Sequence, residues 1–218
     1  MKQFFRITIL LFFVLILLVG CKNNDNDNDN WTKSLNYAEL DEPFSRIGNS
    51  FIFTKSDVES LGIKSGYFFW DSGKISETAV TGFKVKYSCS SRESGHGLLL
   101  FDIDGKGFYE ISLKNGWVLF KKVINGYETD LINDNGNGIV YYWTNLKSSI
   151  NLEPNNNEVV LYTLPNGALK LVVNDITITT VEKPDFQSFY IKIHGVVDSQ
   201  DKGSVTSKFD FQKFQISE

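Results

Sequence analysis

Two cysteines, two histidines and a set of scattered carboxylates are the groups in this chain that could do chemistry. His96 and His194 lie far apart, with no Cys, His or acid at zinc-like spacing, so a zinc centre is not expected. Serine-type catalysis has no strained elbow motif to rest on, and nothing pairs either histidine with a nucleophile. His96, between Gly95 and Gly97, reads as a loop residue. The tract Asp25-Asn26-Asp27-Asn28-Asp29-Asn30 alternates acids as a calcium loop does. An EF-hand needs glycine at its sixth position and a bidentate glutamate at its twelfth, and here those places hold Asn30 and Asn36. Cys89, in the run YSCSS, reads as a small half-buried strand residue. What remains is a polar set with one large aromatic: Asp102, Glu110, Ser112, Trp117 and Lys121. A flat Trp can stack on the apolar face of a sugar ring while carboxylates and an ammonium meet its hydroxyls.

The elements that must position these residues are strands. From Phe44 onward, short runs rich in β-branched and aromatic residues alternate with Gly, Asn, Asp and Ser clusters. Strands are expected at Phe51 to Thr54, Tyr67 to Trp70, Phe83 to Cys89, Gly97 to Ile103, Phe108 to Leu113 and Trp117 to Lys122. Further strands are expected at Ile139 to Trp143, Val159 to Leu164, Ala168 to Asn174, Ile176 to Val181, Phe189 to His194 and Lys208 to Ile216. Asp104-Gly105, Asn115-Gly116, Asn125-Gly126 and Asn166-Gly167 supply the positive φ that tight hairpins need. A short helical turn is expected near Lys55 to Leu61, capped by Ser56 with Glu59 three residues on. Alternation assigns Leu99, Phe101 and Ile103, then Tyr109, Ile111 and Leu113, then Val118 and Phe120, to the core. Asp102, Glu110, Trp117 and Lys121 fall on the opposite face. In Tyr141-Tyr142-Trp143 at least one ring must be partly exposed.

The first segment bears on location. Lys2 and Arg6 precede an apolar run from Ile7 to Val19. At roughly 13 residues this run matches the ~7–15 of a signal h-region and falls short of the ~20 needed to span a membrane. It ends at Leu18-Val19-Gly20-Cys21, which resembles the lipobox of bacterial lipoproteins. The resemblance implies cleavage after Gly20, lipidation of Cys21 and stable membrane anchoring by several acyl chains. Residues 1–20 are then a lipoprotein signal peptide. Residues 21–42 form a lipidated, acidic Asn/Asp tether, too polar to offset its own ordering entropy. Acidic tracts placed this way resemble the surface-export signals of Bacteroidota lipoproteins, which implies an outer-membrane, cell-surface location.

The net charge is −4, and loss of Lys2 and Arg6 takes the mature chain to about −6. Such a chain is a poor partner for nucleic acid or for an anionic membrane surface. With Cys21 lipidated, Cys89 has no intrachain partner, and stability must come from a β core.

The order of segments carries a second resemblance. SGHGLLLFDIDGKGFYEISLKNGWVLFKKVINGYETDLI, then NNNEVVLYTLPNGALKLVVNDITITTVE, then SKFDFQKFQI, resembles the laminin-G-like and concanavalin A-like jelly rolls of bacterial secreted proteins. The expected fold is therefore all-β, a two-sheet antiparallel jelly-roll sandwich over residues 43–218. The resemblance implies a non-catalytic module binding glycan or a protein partner. Some relatives are glucanases with acids on one strand face. The nearest sequence here, Glu39-Leu40-Asp41-Glu42, is followed at once by Pro43 and lacks the closing acid. Laminin-G modules also bind structural calcium, for which Asp102, Asp104, Asp130, Asn133 and Asp134 are available donors. The reading is a surface lipoprotein whose jelly roll binds carbohydrate through Asp102, Glu110, Trp117 and Lys121. An adhesion or protein-interaction subunit is the alternative, and a glycoside hydrolase the third choice.

Overall fold

Alternating side chains cover one face of a strand with apolar groups, and two such faces must close on each other. In the computed structural model this closure is a sandwich. The structure describes residues 40, 43–62, 66–76, 78–91, 94, 96–114, 117–132, 144–145 and 156–212. The signal segment, Cys21, the tether, the Tyr141-Tyr142-Trp143 group, the strand expected at Ile139 to Trp143 and the Asn115-Gly116 turn lie outside them. Among the described residues no helix is long and apolar enough to cross a membrane.

In chain order the strands are β1 (Phe44–Ile47), β2 (Ser50–Lys55), β3 (Tyr67–Asp71), β4 (Gly82–Cys89), β5 (His96–Asp102), β6 (Gly107–Lys114) and β7 (Trp117–Ile124). They continue with β8 (Tyr127–Asp130), β9 (Thr144–Asn145), β10 (Asn156–Thr163), β11 (Leu169–Val173), β12 (Ile176–Val181), β13 (Phe189–Asp198) and β14 (Val205–Gln212). One sheet runs β1-β2-β14-β4-β10-β11-β12, and the other β3-β13-β5-β6-β7-β8 with β9 beside β7. Every pairing is antiparallel. Successive strands change sheet from β2 to β3, β3 to β4, β4 to β5, β9 to β10, β12 to β13 and β13 to β14. The late strands β13 and β14 lie between early ones, which is the nesting of a jelly roll.

The core lies between the sheets. Phe51, Phe53, Phe83 and Phe209 from the first sheet meet Leu100, Tyr109, Phe120, Phe189 and Ile191 from the second, all fully buried. Phe83 and Phe189 make an edge-to-face contact across the sandwich at 6.2 Å. Two hairpins turn as their dipeptides demand. Asn125-Gly126 joins β7 to β8 with φ of 51° and 80°, and Asn174-Asp175 joins β11 to β12 with φ of 49° and 64°. Both central residues at positive φ is the type I′ signature, whose twist matches the flanking strands.

Three expectations need correction. β1 and β8 are strands that the residue pattern did not announce, because FSRI and YETD are too polar and too short to alternate clearly. The helical turn at Val58–Leu61 is a 3-10 turn entered from Asp57 at φ 55°, with no side-chain cap, so Ser56 does not cap it. Its entry is instead closed by Ser60, whose N–H and hydroxyl both donate to the Asp57 carbonyl, at 2.9 and 2.6 Å. The third correction is the face of β5. Leu98 and Leu100 pair with the inward Ile111 and Tyr109, so these and Asp102 point into the sandwich, while Leu99 and Phe101 point out. Leu98 to Phe101 are all apolar, so alternation alone could not choose between the two parities; the register against β6 does.

Candidate functional site

The reversed parity of β5 divides the expected sugar-binding set. Asp102 is buried, and its carboxylate accepts the Lys106 N–H at 3.1 Å, closing the β5–β6 turn. It is a turn residue facing inward and does not join the other three. Glu110, Trp117 and Lys121 do share the outer face of the second sheet. The Lys121 ammonium lies 3.3 Å from the Glu110 carboxylate and 3.4 Å from that of Glu128, and the Ser112 hydroxyl donates to Glu110 at 3.0 Å. These charges are mostly engaged with one another. Trp117, 37% exposed, stands at the start of β7 opposite Lys114, four residues along the strand from Lys121.

The same face holds further groups that sequence reasoning did not assemble. His194 Nδ1 is 2.7 Å from the Asp71 carboxylate, and Phe69 packs on the imidazole at 5.3 Å. Lys192 lies 4.7 Å over the Phe101 ring, and Phe101 packs on Phe108 at 5.2 Å. The pair ties β3 to β13. Among the described residues no group of three His, Cys, Asp or Glu side chains could hold a metal ion. Cys89 is buried and carries no disulfide among those residues; burial pushes its thiol up, away from the reactive thiolate.

The opposite side of the molecule has a different surface. On the first sheet, alternation in GFKVKYSC, NNEVV and SKFDF sends Phe83, Val85, Val159, Phe209 and Phe211 inward. It sends Lys84, Lys86 and Ser88 (β4), Asn156 and Glu158 (β10), and Lys208 and Asp210 (β14) outward. Register aligns them in rows. Lys86 stands between Glu158 and Asp210, and Ser88 between Asn156 and Lys208. A depression of about 420 Å³ opens here over the middle strands, lined also by Asn157 and Asn174. That volume is in the range of small-molecule sites.

Its wall is built by the β11–β12 turn. Asn174, held at positive φ, accepts the Glu158 N–H at 2.8 Å through its side-chain oxygen and donates to Asn157 at 2.9 Å. Lys84 pairs with Glu158 at 2.7 Å and Lys208 with Asp210 at 2.8 Å, while the Ser50 hydroxyl also donates to Asp210. Burial alone would raise the Asp210 carboxyl. Hydrogen bonds from Lys208 and Ser50, with the charges of Lys208 and Lys86, outweigh that and hold it below its ordinary value.

Glu158 and Asp210 lie on strands either side of β4, two inter-strand spacings or about 10 Å apart. A glycosidase needs one of its two carboxyls kept protonated as general acid. Asp210 is held in the opposite state. The arrangement is equipped to bind through hydrogen bonds and charge.

No protein-family model matches the chain, and a comparison with curated proteins found no match. Among solved structures, the chain is similar to the carbohydrate-binding module CBM66 from Bacillus subtilis, at 11% identity over 82% of this chain and 94% of that one, with a TM-score of 0.44. It is also similar to sheep galectin-11 in complex with glycerol, at 12% identity over 74% and 99% of the two chains, with a TM-score of 0.37.

Proposed function

We propose that this protein is a lipid-anchored surface module that binds carbohydrate, without turnover, in the depression over β4, β10 and β14. The observation that carries this reading is the depression itself: a cavity of sugar-binding size on a rigid sheet, lined by amide, hydroxyl, ammonium and carboxylate groups. Sugar hydroxyls both donate and accept, so they suit a wall of mixed polarity. The side chains of Ser88 and Asn156 line the depression and make no side-chain hydrogen bond among the described residues, so they are available to a ligand. The anchor is Cys21, which together with the short apolar run before it supports an outer-membrane location.

A glycan array probed with the full chain in detergent tests the reading. Binding should fall about tenfold or more in a Ser88→Ala/Asn156→Ala double variant, the equivalent of one or two hydrogen bonds, and stay unchanged in Trp117→Ala. Loss in Trp117→Ala alone would move the site to the face of Glu110 and Lys121. No binding to any glycan would overturn the proposal.

One observation favours the alternative of a protein partner. Tyr67, Phe68 and Phe69, three consecutive rings on β3, are 46–57% exposed, and β3 ends its sheet among the described residues, the position that strand addition uses.

A further inference from the structure

A strand that ends a sheet presents backbone groups that can pair with another chain. Among the described residues the end strands are β1 and β12 of the first sheet and β3 and β8 of the second. Three of them carry a feature that resists such pairing. β1 is four residues long and holds Arg46, and β8, equally short, holds Glu128 and Asp130. β12 is uncharged, but its register against β11 shifts at Leu171/Val172, the kind of bulge that twists an edge away. β3, with the sequence YFFWD, pairs with β13 without a shift, and its one acid stands at its last position. There the Asp71 carboxylate is engaged by His194 Nδ1 at 2.7 Å.

The backbone groups of a strand alternate in direction from residue to residue. The Gly66 carbonyl accepts the Ser199 N–H and the Ser72 N–H donates to the Ile193 carbonyl, both at 3.0 Å, so the even-numbered positions address β13. Tyr67, Phe69 and Asp71 therefore direct their N–H and C=O away from it. The side chains alternate as well. Tyr67 and Phe69 pack together at 6.3 Å on the outer face of the sheet. Phe68 stands on the sandwich side, against Trp70 at 5.0 Å, and Trp70 stands against Phe53 at 5.6 Å. Rings are thus exposed on both sides of this one edge.

The strand is complementary to itself. Set antiparallel about a two-fold axis at Phe69, it places Phe69 opposite its own copy, Phe68 opposite the partner's Trp70 and Tyr67 opposite the partner's Asp71. The outward phase of Phe69 makes the central pair a hydrogen-bonded one. The two Asp71 carboxylates stand on either side of the axis, about 14 Å apart along the strands, so like charges do not meet. The same operation on β8 crowds its two acids against the two of the other copy. We infer that β3 is an interface between two copies of this chain, joining their second sheets edge to edge across a two-fold axis at Phe69. Aromatic cross-strand pairs hold it, and the isologous contact closes as a dimer. The inference is independent of the carbohydrate reading, because the depression lies on the other sheet.

Sedimentation equilibrium of the full chain in density-matched detergent tests it, with thiol cross-linking to read the register. The parent should sediment as a dimer that dissociates on dilution. Phe69→Lys removes the central ring pair and sets two ammonium groups face to face, and should weaken the dimer about tenfold or more. Facing residues of a hydrogen-bonded antiparallel pair have Cα atoms about 5.5 Å apart, within the reach of a disulfide. In a Cys21→Ser background, where Cys89 is buried, Phe69→Cys should therefore cross-link to a dimer when a mild oxidant is added. Tyr67→Cys should not, since its two copies lie about 14 Å apart, but it should cross-link when mixed with Asp71→Cys. A parent that stays monomeric at every concentration overturns the inference and leaves the edge to a strand from another protein. A dimer untouched by Phe69→Lys, or one whose Phe69→Cys form does not cross-link, overturns it in favour of another surface.

Discussion

Removing one oxygen, in Tyr109→Phe, should destabilise the protein by an amount that shrinks as pH rises. Tyr109 is fully buried on β6, stacked on Phe186 with ring centroids 4.3 Å apart. Its phenol oxygen accepts the backbone N–H of Asp185 at 2.8 Å and of Phe186 at 3.3 Å, tying the segment between β12 and β13 to the second sheet. Phenylalanine keeps the ring and the stacking, so no cavity opens. Asp185 is exposed, and water can replace its lost partner. The Phe186 N–H is buried and is left unpaired, a cost of about 1–3 kcal/mol. For a domain of this size about 2 kcal/mol lowers Tm by roughly 4–8 °C.

The pH dependence has a definite sign. Burial, partly offset by those two N–H donors, pushes the Tyr109 phenol up to about 12. An exposed tyrosine titrates near 10. Below about pH 10 the group is neutral in both states and its contribution is whole. Between about 10 and 12 the unfolded chain ionises first, and native stability falls by something on the order of 2 kcal/mol. The variant has no such group. Urea denaturation of both chains, followed by circular dichroism, should show a gap of about 2 kcal/mol at pH 8 that closes by about pH 12. Tyr87 is also pushed up by burial, but it is common to both chains and cancels. A gap that stays constant with pH, or a variant as stable as the parent at pH 8, would refute the reasoning.

Gly97→Ala should destabilise the fold by more than the ~1 kcal/mol typical of a point substitution, because a Cβ there falls 2.2 Å from the Ile111 carbonyl oxygen in the adjacent strand; a parent-like urea midpoint would show that β5 and β6 are not held as described. Cys21→Ser should abolish incorporation of labelled lipid in the producing cell, and continued labelling would end the anchored reading.

Strand positions were legible wherever alternation was clean. Ile176–Val181 is a strand from end to end as its residues indicate, and β4 differs from expectation by one residue. The polar rows of the depression were also legible one strand at a time, as KVKYS, NNE and KFD. Their meeting was not. β4, β10 and β14 are separated by long stretches of chain, and which strands neighbour each other is set by how the whole sandwich closes. The Glu110, Trp117 and Lys121 grouping could be read because β6 and β7 form one hairpin, where sequence distance and spatial distance agree. Asp102 was misplaced for a local reason: with Leu98 through Phe101 all apolar, the strand has no polar side to mark its solvent face.

The positions of β13 and β14 bear on how the chain is made. They are the last two strands, yet β13 fits between β3 and β5, and β14 between β2 and β4. A chain released only as far as Gln187 holds two sheets, each split along the line where its missing strand belongs. Phe51 and Phe53 then have no neighbour on one side to complete their layer. Four of the twelve strand pairings among the described residues therefore wait for β13 and β14, which is the long-range topology that folds slowly. Because β14 lies inside its sheet between β2 and β4, losing it would cost the fold itself rather than one edge of it.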